Sequence, residues 1–472
     1  MRRTKIVATI GPATREPAML GALIDAGVDV CRLNFAHAGP EVHAATAAAV
    51  RAVARAHGRW VGLLVDLPGP KLRTGPIEGE QVRLRDGAPF RLVAGEITGD
   101  ATAVSTTVED LATWVEPGDE IYLADGEIVL RVTDFEGKDV LTEVVRGGTL
   151  RSRKGMHVPG AEDRVRAFSD DDEEALGHAL KLKADLVGLS FVRGPDDVAR
   201  VRALLPKRGP RPVLVAKIET RAALANLEGI IAEADAVMVA RGDLGIQTAL
   251  HEVPLQQKQI IRACNSYGRP VITATQMLES MTRHPLPTRA EINDVANAVF
   301  DGTDALMLSE ETAIGAHPVE AVAIMSALAE SAEGFPHEHA LPRHRELGDD
   351  RVAWAVAHAA VQAAEDLSVA AIVCPTRSGA TPRRVAAFRP SMPIVGLSER
   401  RETLGALSLV WGVAPHPVED LPAARDVAEE VERAAAAARR LGVAAPGDLL
   451  AVVAGAPGPR AGRTDFLRIV RA

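Results

Sequence analysis

The sequence predicts an α/β protein built on a (β/α)8 TIM barrel, with an inserted small β-barrel lid domain and a C-terminal α/β domain. Short apolar runs alternate with helical stretches, the pattern of βαβ units around a buried parallel sheet. Eight such runs occur, which suits a closed barrel better than an open sheet. A turn-rich stretch interrupts the series after the third run, and a fresh alternation begins after the eighth.

The runs are Lys5–Ile10, Asp29–Phe35, Val61–Leu67, Asp185–Phe191, Val213–Glu219, Ala236–Ala240, Val271–Ala274 and Ala305–Leu308. Helices are expected over Glu16–Ala26, Pro40–Ala56, Asp196–Leu205, Pro254–Asn265 and Pro318–Glu333. After Pro68-Gly69-Pro70 come short strands at Gln81–Leu84, Glu120–Leu123 and Glu127–Val132, punctuated by Asp86-Gly87, Pro117-Gly118 and Asp125-Gly126. Gly334–Asp350 has the prolines and charges of a linker, and from Arg351 a further α/β pattern predicts a parallel sheet with strands at Ala370–Cys374, Pro393–Leu397 and Asp448–Gly455. The expected units are therefore 1–70 with 158–340 for the barrel, 71–157 for the lid and 341–472 for the C-terminal domain.

The chain has 472 residues, 25% charged and 47% hydrophobic, with a net charge of −9. That balance is globular and argues against a nucleic-acid or anionic-membrane partner, which would want a basic face. Cys31, Cys264 and Cys374 are far apart and form no C-x-x-C pair, the usage of a reducing compartment. The first residues run straight into a strand without an apolar signal segment, and no run reaches the ~20 apolar residues of a membrane span. The expected location is cytoplasmic.

Reactive side chains of such barrels gather at the C-terminal ends of the strands. Here those ends carry Arg32 and Asn34, Asp66, Lys217 and Glu219, Arg241-Gly242-Asp243, Thr275-Gln276 and Ser309-Glu310-Glu311. Residues two apart on a strand share a face, so Arg32 pairs with Asn34 and Lys217 with Glu219. Such charges are costly to bury unpaired. They either pair with one another, Lys217 with Glu219 or Asp243 and Arg32 with Asp66, or hold a ligand. Two carboxylates among clustered cations suit a hard divalent ion and a phosphate.

Several longer stretches carry a family resemblance. Thr4–Pro12, Arg32-Leu33-Asn34-Phe35, Arg241-Gly242-Asp243-Leu244-Gly245, Ala274–Met281, Pro287–Glu291 and Asp294–Val299 resemble the pyruvate kinases, in that family's order. The resemblance implies phosphoryl transfer from phosphoenolpyruvate to ADP, giving pyruvate and ATP. It implies Mg²⁺ on Glu219 and Asp243, with Lys217 and Arg32 on the phosphoryl group. It places the substrate carboxylate on the Gly242 and Asp243 N–H groups, with Thr275 assisting and serving the proton path. Thr275 equally suits a strand-end cap. Asn34, His37, Arg73 and Lys154 match nucleotide-binding positions. The lid would then close over the site and exclude water. Thr288 and Glu291 have capping-box spacing and are assigned to structure.

Departures from the family pattern matter. Many members hold a K⁺; here Ala36 stands at a Ser ligand position, Leu67 at a Thr position and Lys71 at a Glu position. The expectation is that the Lys71 ammonium replaces K⁺ beside Asn34 and Asp66, so that K⁺ is not required. The alternative is a surface lysine and a K⁺ still held by Asn34 and Asp66. Ala124, His157 and Glu310 also leave the usual pattern, and Asp125 matches a lid position that approaches the site, a solvated turn aspartate being the alternative. Thr376-Arg377-Ser378-Gly379-Ala380-Thr381 resembles the family's effector loop, so a phosphorylated effector is expected at Thr376, Arg377, Ser378, Gly379 and Thr381; an ordinary capped turn is the alternative. Family members are usually homotetramers. The same site also suits a Mg²⁺-dependent enolpyruvate lyase or mutase, or a catalytically inactive regulatory paralogue.

Overall fold

The computed structural model describes residues 2–70, 72–124, 126–160, 164, 167–207, 211–335, 350–418, 426–455 and 464–472. Lys71, Asp125 and most of the expected linker lie outside the described residues.

Eight parallel strands close into a barrel: Lys5–Thr9, Val30–Asn34, Gly62–Asp66, Leu186–Leu189, Val213–Ile218, Ala236–Ala240, Val271–Ala274 and Ala305–Leu308. The seam joins the first strand to the eighth, Lys5 opposite Ala305. Alternate residues point to opposite faces. Val7, Val30, Leu64, Leu186, Val215, Met238, Ile272 and Met307 form one cluster filling the barrel. Their neighbours Ile6, Cys31, Leu63, Val187, Leu214 and Val239 pack outward with the helices. The helices Pro17–Ala26 and Pro40–Ala56 each open with proline, whose fixed φ and missing N–H fit a first turn.

This parity places the chemistry. Two residues beyond the apolar plug, the same inward direction is held by Thr9, Arg32, Asp66 and Lys217, and Ser190 lies four beyond Leu186. The polar ring is the apolar core continued by two residues.

Between the third and fourth strands lies an open half-barrel. A six-stranded sheet runs in the order Met156–His157, Glu120–Leu123, Ile128–Glu136, Asp139–Arg146, Pro89–Val93, Ala103–Ser105, beside a two-stranded sheet of Gly148–Arg151 and Gln81–Leu84. Ile121, Leu123, Leu130, Val140 and Leu150 make its own core.

The C-terminal sheet has five strands, ordered Val413–Pro417, Ile394–Ser398, Ala371–Pro375, Leu449–Ala454, Phe466–Arg471. The expected sheet was parallel with three strands; the structure adds an edge strand at each side, and Phe466–Arg471 runs antiparallel. Val413–Pro417 escaped notice because Pro415 and Pro417 argue against a strand, and an edge is where proline is tolerated. This unit seats on the barrel base. Leu409 joins the barrel's inner cluster, and Lys5 Nζ donates to the Val413 carbonyl at 2.7 Å.

Candidate active site

Arg32, on the second strand, donates from Nε to Asp66 Oδ2 at 3.0 Å and from Nη1 to Thr9 Oγ1 at 3.0 Å. Lys217, on the fifth, lies 3.5 Å from the same Asp66 oxygen and 3.4 Å from Glu219 Oε2. It also donates to Ser190 Oγ at 2.8 Å. All of these residues are buried. A Cβ on Gly188 would stand 2.6 Å from Asp66 Oδ1, so glycine there makes room for the carboxylate.

Charge decides the protonation states. Burial pushes Asp66 up, but the Lys217 and Arg32 cations outweigh it and hold the carboxyl below its usual range. Burial works against the Lys217 ammonium, yet Asp66, Glu219 and Asp243 raise it above the ordinary lysine value. Glu219 is pushed up to about 7 by burial, with Asp243 adding to the push and Lys217 opposing it. Glu219 Oε1 accepts the Phe191 N–H, whereas Glu219 Oε2 and Asp66 Oδ1 are buried oxygens without a hydrogen-bond partner. Buried acceptors of that kind ask for a cation or a donor.

Asp243 sits in the helix Arg241–Gln247, which starts where the sixth strand ends. Its charge reaches both Glu219 and Lys217. The Gly242 N–H donates to Thr275 Oγ1 at 2.8 Å, and that hydroxyl donates to the Ala274 carbonyl at 2.6 Å. Thr275 and Gln276 both have left-handed backbones, φ 68° and 52°. For a β-branched residue this is strained, and strain persists only where surroundings impose it. Arg241 imposes it by donating to the Ala274 and Thr275 carbonyls at 3.1 and 2.6 Å, while Asp294 holds its Nη1 at 2.7 Å. The Thr288–Glu291 capping box forms as expected.

The nucleotide candidates divide. Asn34 Oδ1 accepts the Ala36 N–H at 3.1 Å, and His37 is exposed beside it. Arg73 and Lys154 lie on adjoining backbone segments where the inserted unit begins and ends: Arg73 bridges to Gly155, and the Thr74 N–H donates to the Lys154 carbonyl at 2.9 Å. The lid touches the helix bearing Asp243, because Gln247 Nε2 lies 3.1 Å from His157 Nδ1.

In the effector loop, the Gly379 N–H donates to Thr376 Oγ1 at 2.9 Å, and Thr381 Oγ1 is 2.7 Å from Thr464 Oγ1. Both hydroxyls are thus engaged internally, while Arg377 and Ser378 are exposed. The sequence reading missed Ser190 and Thr9. The inward parity of Leu186-Gly188-Ser190 and Val7-Thr9 was the signal that would have found them.

Among the described residues, no group of three or more His, Cys, Asp or Glu side chains is arranged to hold a metal by itself. A closed barrel with paired carboxylates, a buried lysine and an arginine at its mouth defines a barrel enzyme that handles anionic oxygens. Comparison with known proteins narrows the class. Residues 1–322 match the model of the pyruvate kinase barrel domain, and residues 354–470 that of the pyruvate kinase alpha/beta domain. The chain is 40% identical to the pyruvate kinase of Thermotoga maritima over all of both chains. It is 39% identical to that of Geobacillus stearothermophilus, over 99% of this chain and 80% of the relative, and 39% identical to that of Mycobacterium tuberculosis, over 100% and 98%. The chain belongs to the pyruvate kinase family and is a phosphotransferase.

Proposed function

We propose that this chain moves the phosphoryl group of phosphoenolpyruvate to ADP, giving pyruvate and ATP, with Mg²⁺ and without a required monovalent cation. The observation that carries it is the Lys217 ammonium, kept charged by Asp66 and Glu219 at the barrel mouth beside Arg32.

The residues fit Mg²⁺, which takes one or two carboxylates and leaves its other positions to substrate and water. Glu219 and Asp243 are the pair, and Glu219 Oε2, which makes no hydrogen bond, is the oxygen that would face the ion. When bound, the ion neutralises phosphoryl oxygens and draws donor and acceptor together. Lys217 stabilises the phosphoryl group in transit, and Arg32 grips its oxygens. Arg32 is pre-aimed by Asp66 and Thr9, so little rotamer entropy is lost on binding. The substrate carboxylate competes with Thr275 for the Gly242 N–H and takes the Asp243 N–H as well. Once released from Gly242, the Thr275 hydroxyl orders the water that protonates enolpyruvate. Asn34, His37, Arg73 and Lys154 hold the nucleotide phosphates, and the lid keeps water from the phosphoryl group.

The independence of K⁺ rests on Lys71. Leu67 is buried and offers no side-chain oxygen, Ala36 offers none either, and the Asp66 charge is already met by two cations. A third cation nearby would be repelled if Lys71 brings its own. A cytoplasmic homotetramer with a phosphorylated effector at residues 376–381 completes the reading.

A coupled assay with phosphoenolpyruvate, ADP and Mg²⁺, with Lys217→Met as control, tests the activity. ATP production lost in the variant supports it. No ATP from the wild-type chain rejects it in favour of the lyase or the inactive paralogue.

A further inference from the structure

At the barrel base, away from the mouth, lies a cavity of about 350 Å³. Its barrel wall includes Asp235, which leads into the sixth strand, and Tyr267 and Arg269, which lead into the seventh. Its other wall comes from the C-terminal unit: Trp354 on the helix Arg351–Asp366, and Arg383 and Arg384 on the helix Ala380–Ala386.

The charges in this wall do not balance. Arg384 pairs with Asp350, and Asp235 is taken by Arg202 at 3.3 Å. Arg269 hydrogen-bonds to neutral acceptors, donating to the Ile231 and Ala232 carbonyls at 3.3 and 3.0 Å, while Asp235 and Glu233 attract it from beyond contact distance. The Arg383 side chain is partly buried and makes no hydrogen bond or ion pair to a described residue. Burial lowers its affinity for protons, and Arg269 and Arg384 lower it further against the pull of Asp235. Two guanidinium groups therefore face a space of ligand size with no carboxylate in ion-pair contact, the charge of Asp235 reaching both only from a distance. An unpaired, partly buried cation is costly, and a fork of five N–H donors with none used is poised for a planar or tetrahedral oxyanion.

We propose that this cavity binds a phosphomonoester, its phosphate on Arg383 and Arg269 and its organic part in the space walled by Tyr267 and Trp354. A dianion offers oxygens to both guanidinium groups at once, and phosphomonoesters carry close to two negative charges at neutral pH. The volume is that of a small-molecule site rather than of a bare ion. The site is separate from the loop at residues 376–381, since it uses Arg383, two residues past the loop, together with Arg269 of the barrel, and none of the loop's hydroxyls. Asp235 and Arg269 also stand at the opposite ends of the strands that deliver Asp243 and Thr275 to the mouth. Occupancy would thus bear on the seating of those two strands.

The test is calorimetric titration of the full chain, in phosphate-free buffer, with phenyl phosphate, benzoate and phenol as probes. Phenyl phosphate should bind, and Arg383→Gln should weaken it about tenfold or more, the loss of one charge-assisted pair. Lys217→Met at the mouth and Ser378→Ala in the loop should leave that affinity in place. Without ligand, Arg383→Gln should melt no lower than wild type, because it removes an unpaired charge. Affinity unchanged in Arg383→Gln, or lost in Lys217→Met or Ser378→Ala instead, overturns the site. Benzoate binding as tightly as phenyl phosphate overturns the ligand class. A lower melting point for Arg383→Gln means the arginine serves the interface itself, and overturns the proposal.

Discussion

Ser190 Oγ lies 2.8 Å from Lys217 Nζ, and the same hydroxyl donates its proton to the Leu67 carbonyl at 2.8 Å. Its lone pair therefore faces the ammonium, whose other neighbours are Asp66 and Glu219. The Ser190 hydroxyl takes one of the ammonium's three N–H bonds, while Asp66 and Glu219 stand at ion-pair distances of 3.5 and 3.4 Å. Ser190→Ala should free the lysine to lean toward either carboxylate. A hydrogen bond to a charged group contributes about 1.5–3 kcal/mol. We expect kcat to fall by roughly tenfold to a hundredfold, with the KM for ADP little changed. Steady-state kinetics with phosphoenolpyruvate and ADP varied separately would decide, and an unchanged kcat refutes the positioning role.

Lys71 offers a sharper test. If its ammonium stands in for a monovalent cation, KCl titrated at constant ionic strength should leave wild-type activity flat. Lys71→Glu should then lose activity at low KCl and regain much of it as KCl rises. Strong KCl activation of the wild-type chain would remove the basis for K⁺ independence.

The barrel was legible because its strands are buried on both faces and read as continuous apolar runs. Ala236–Ala240, Val271–Ala274 and Ala305–Leu308 have the bounds expected from sequence. The mouth was legible in part. Arg32, Asp66, Lys217 and Glu219 are charges at the end of apolar runs, and only a ligand or mutual pairing permits that. The structure displays the pairing, Arg32 with Asp66 and Lys217 with Glu219, around oxygens still left without partners. Ser190 and Thr9 were overlooked because a hydroxyl at a strand end costs little and raises no alarm. The role of Arg241 was hidden as well. Its partner Asp294 lies in a helix far along the chain, and no local pattern links them.

That pair supports the next expectation. Asp294 fixes Arg241, and Arg241 clamps the left-handed Thr275-Gln276 backbone. Asp294→Asn keeps the shape but weakens a charged pair to a neutral hydrogen bond. The strained turn should relax, costing about 1–3 kcal/mol of stability. Turnover should drop more than tenfold if Thr275 must hold its place at the mouth. Thermal melting and kcat measured on the same preparation would separate the effects. Full activity with a lowered melting point would show the clamp to be structural only.

Asp185 makes the stability of the barrel base depend on pH. It is 5% exposed and accepts the Leu63 N–H at 2.9 Å. The helix Arg401–Leu407 presses on it so closely that a Cβ at Gly405 would stand 2.1 Å from Asp185 Oδ1. Burial raises its carboxyl to about 6 from 3.8, with the Leu63 N–H, Arg51 and Arg401 opposing. The folded chain thus holds this proton where the unfolded chain has lost it. The resulting stabilisation is complete below about pH 4 and is lost as the pH rises through about 6. A shift of that size corresponds to roughly 3 kcal/mol. Asp185→Asn cannot titrate, so it should gain on wild type by that order between pH 4 and pH 7, as measured by urea unfolding across the range. A difference between variant and wild type that stays constant with pH would mean that Asp185 ionises normally despite the helix packed against it.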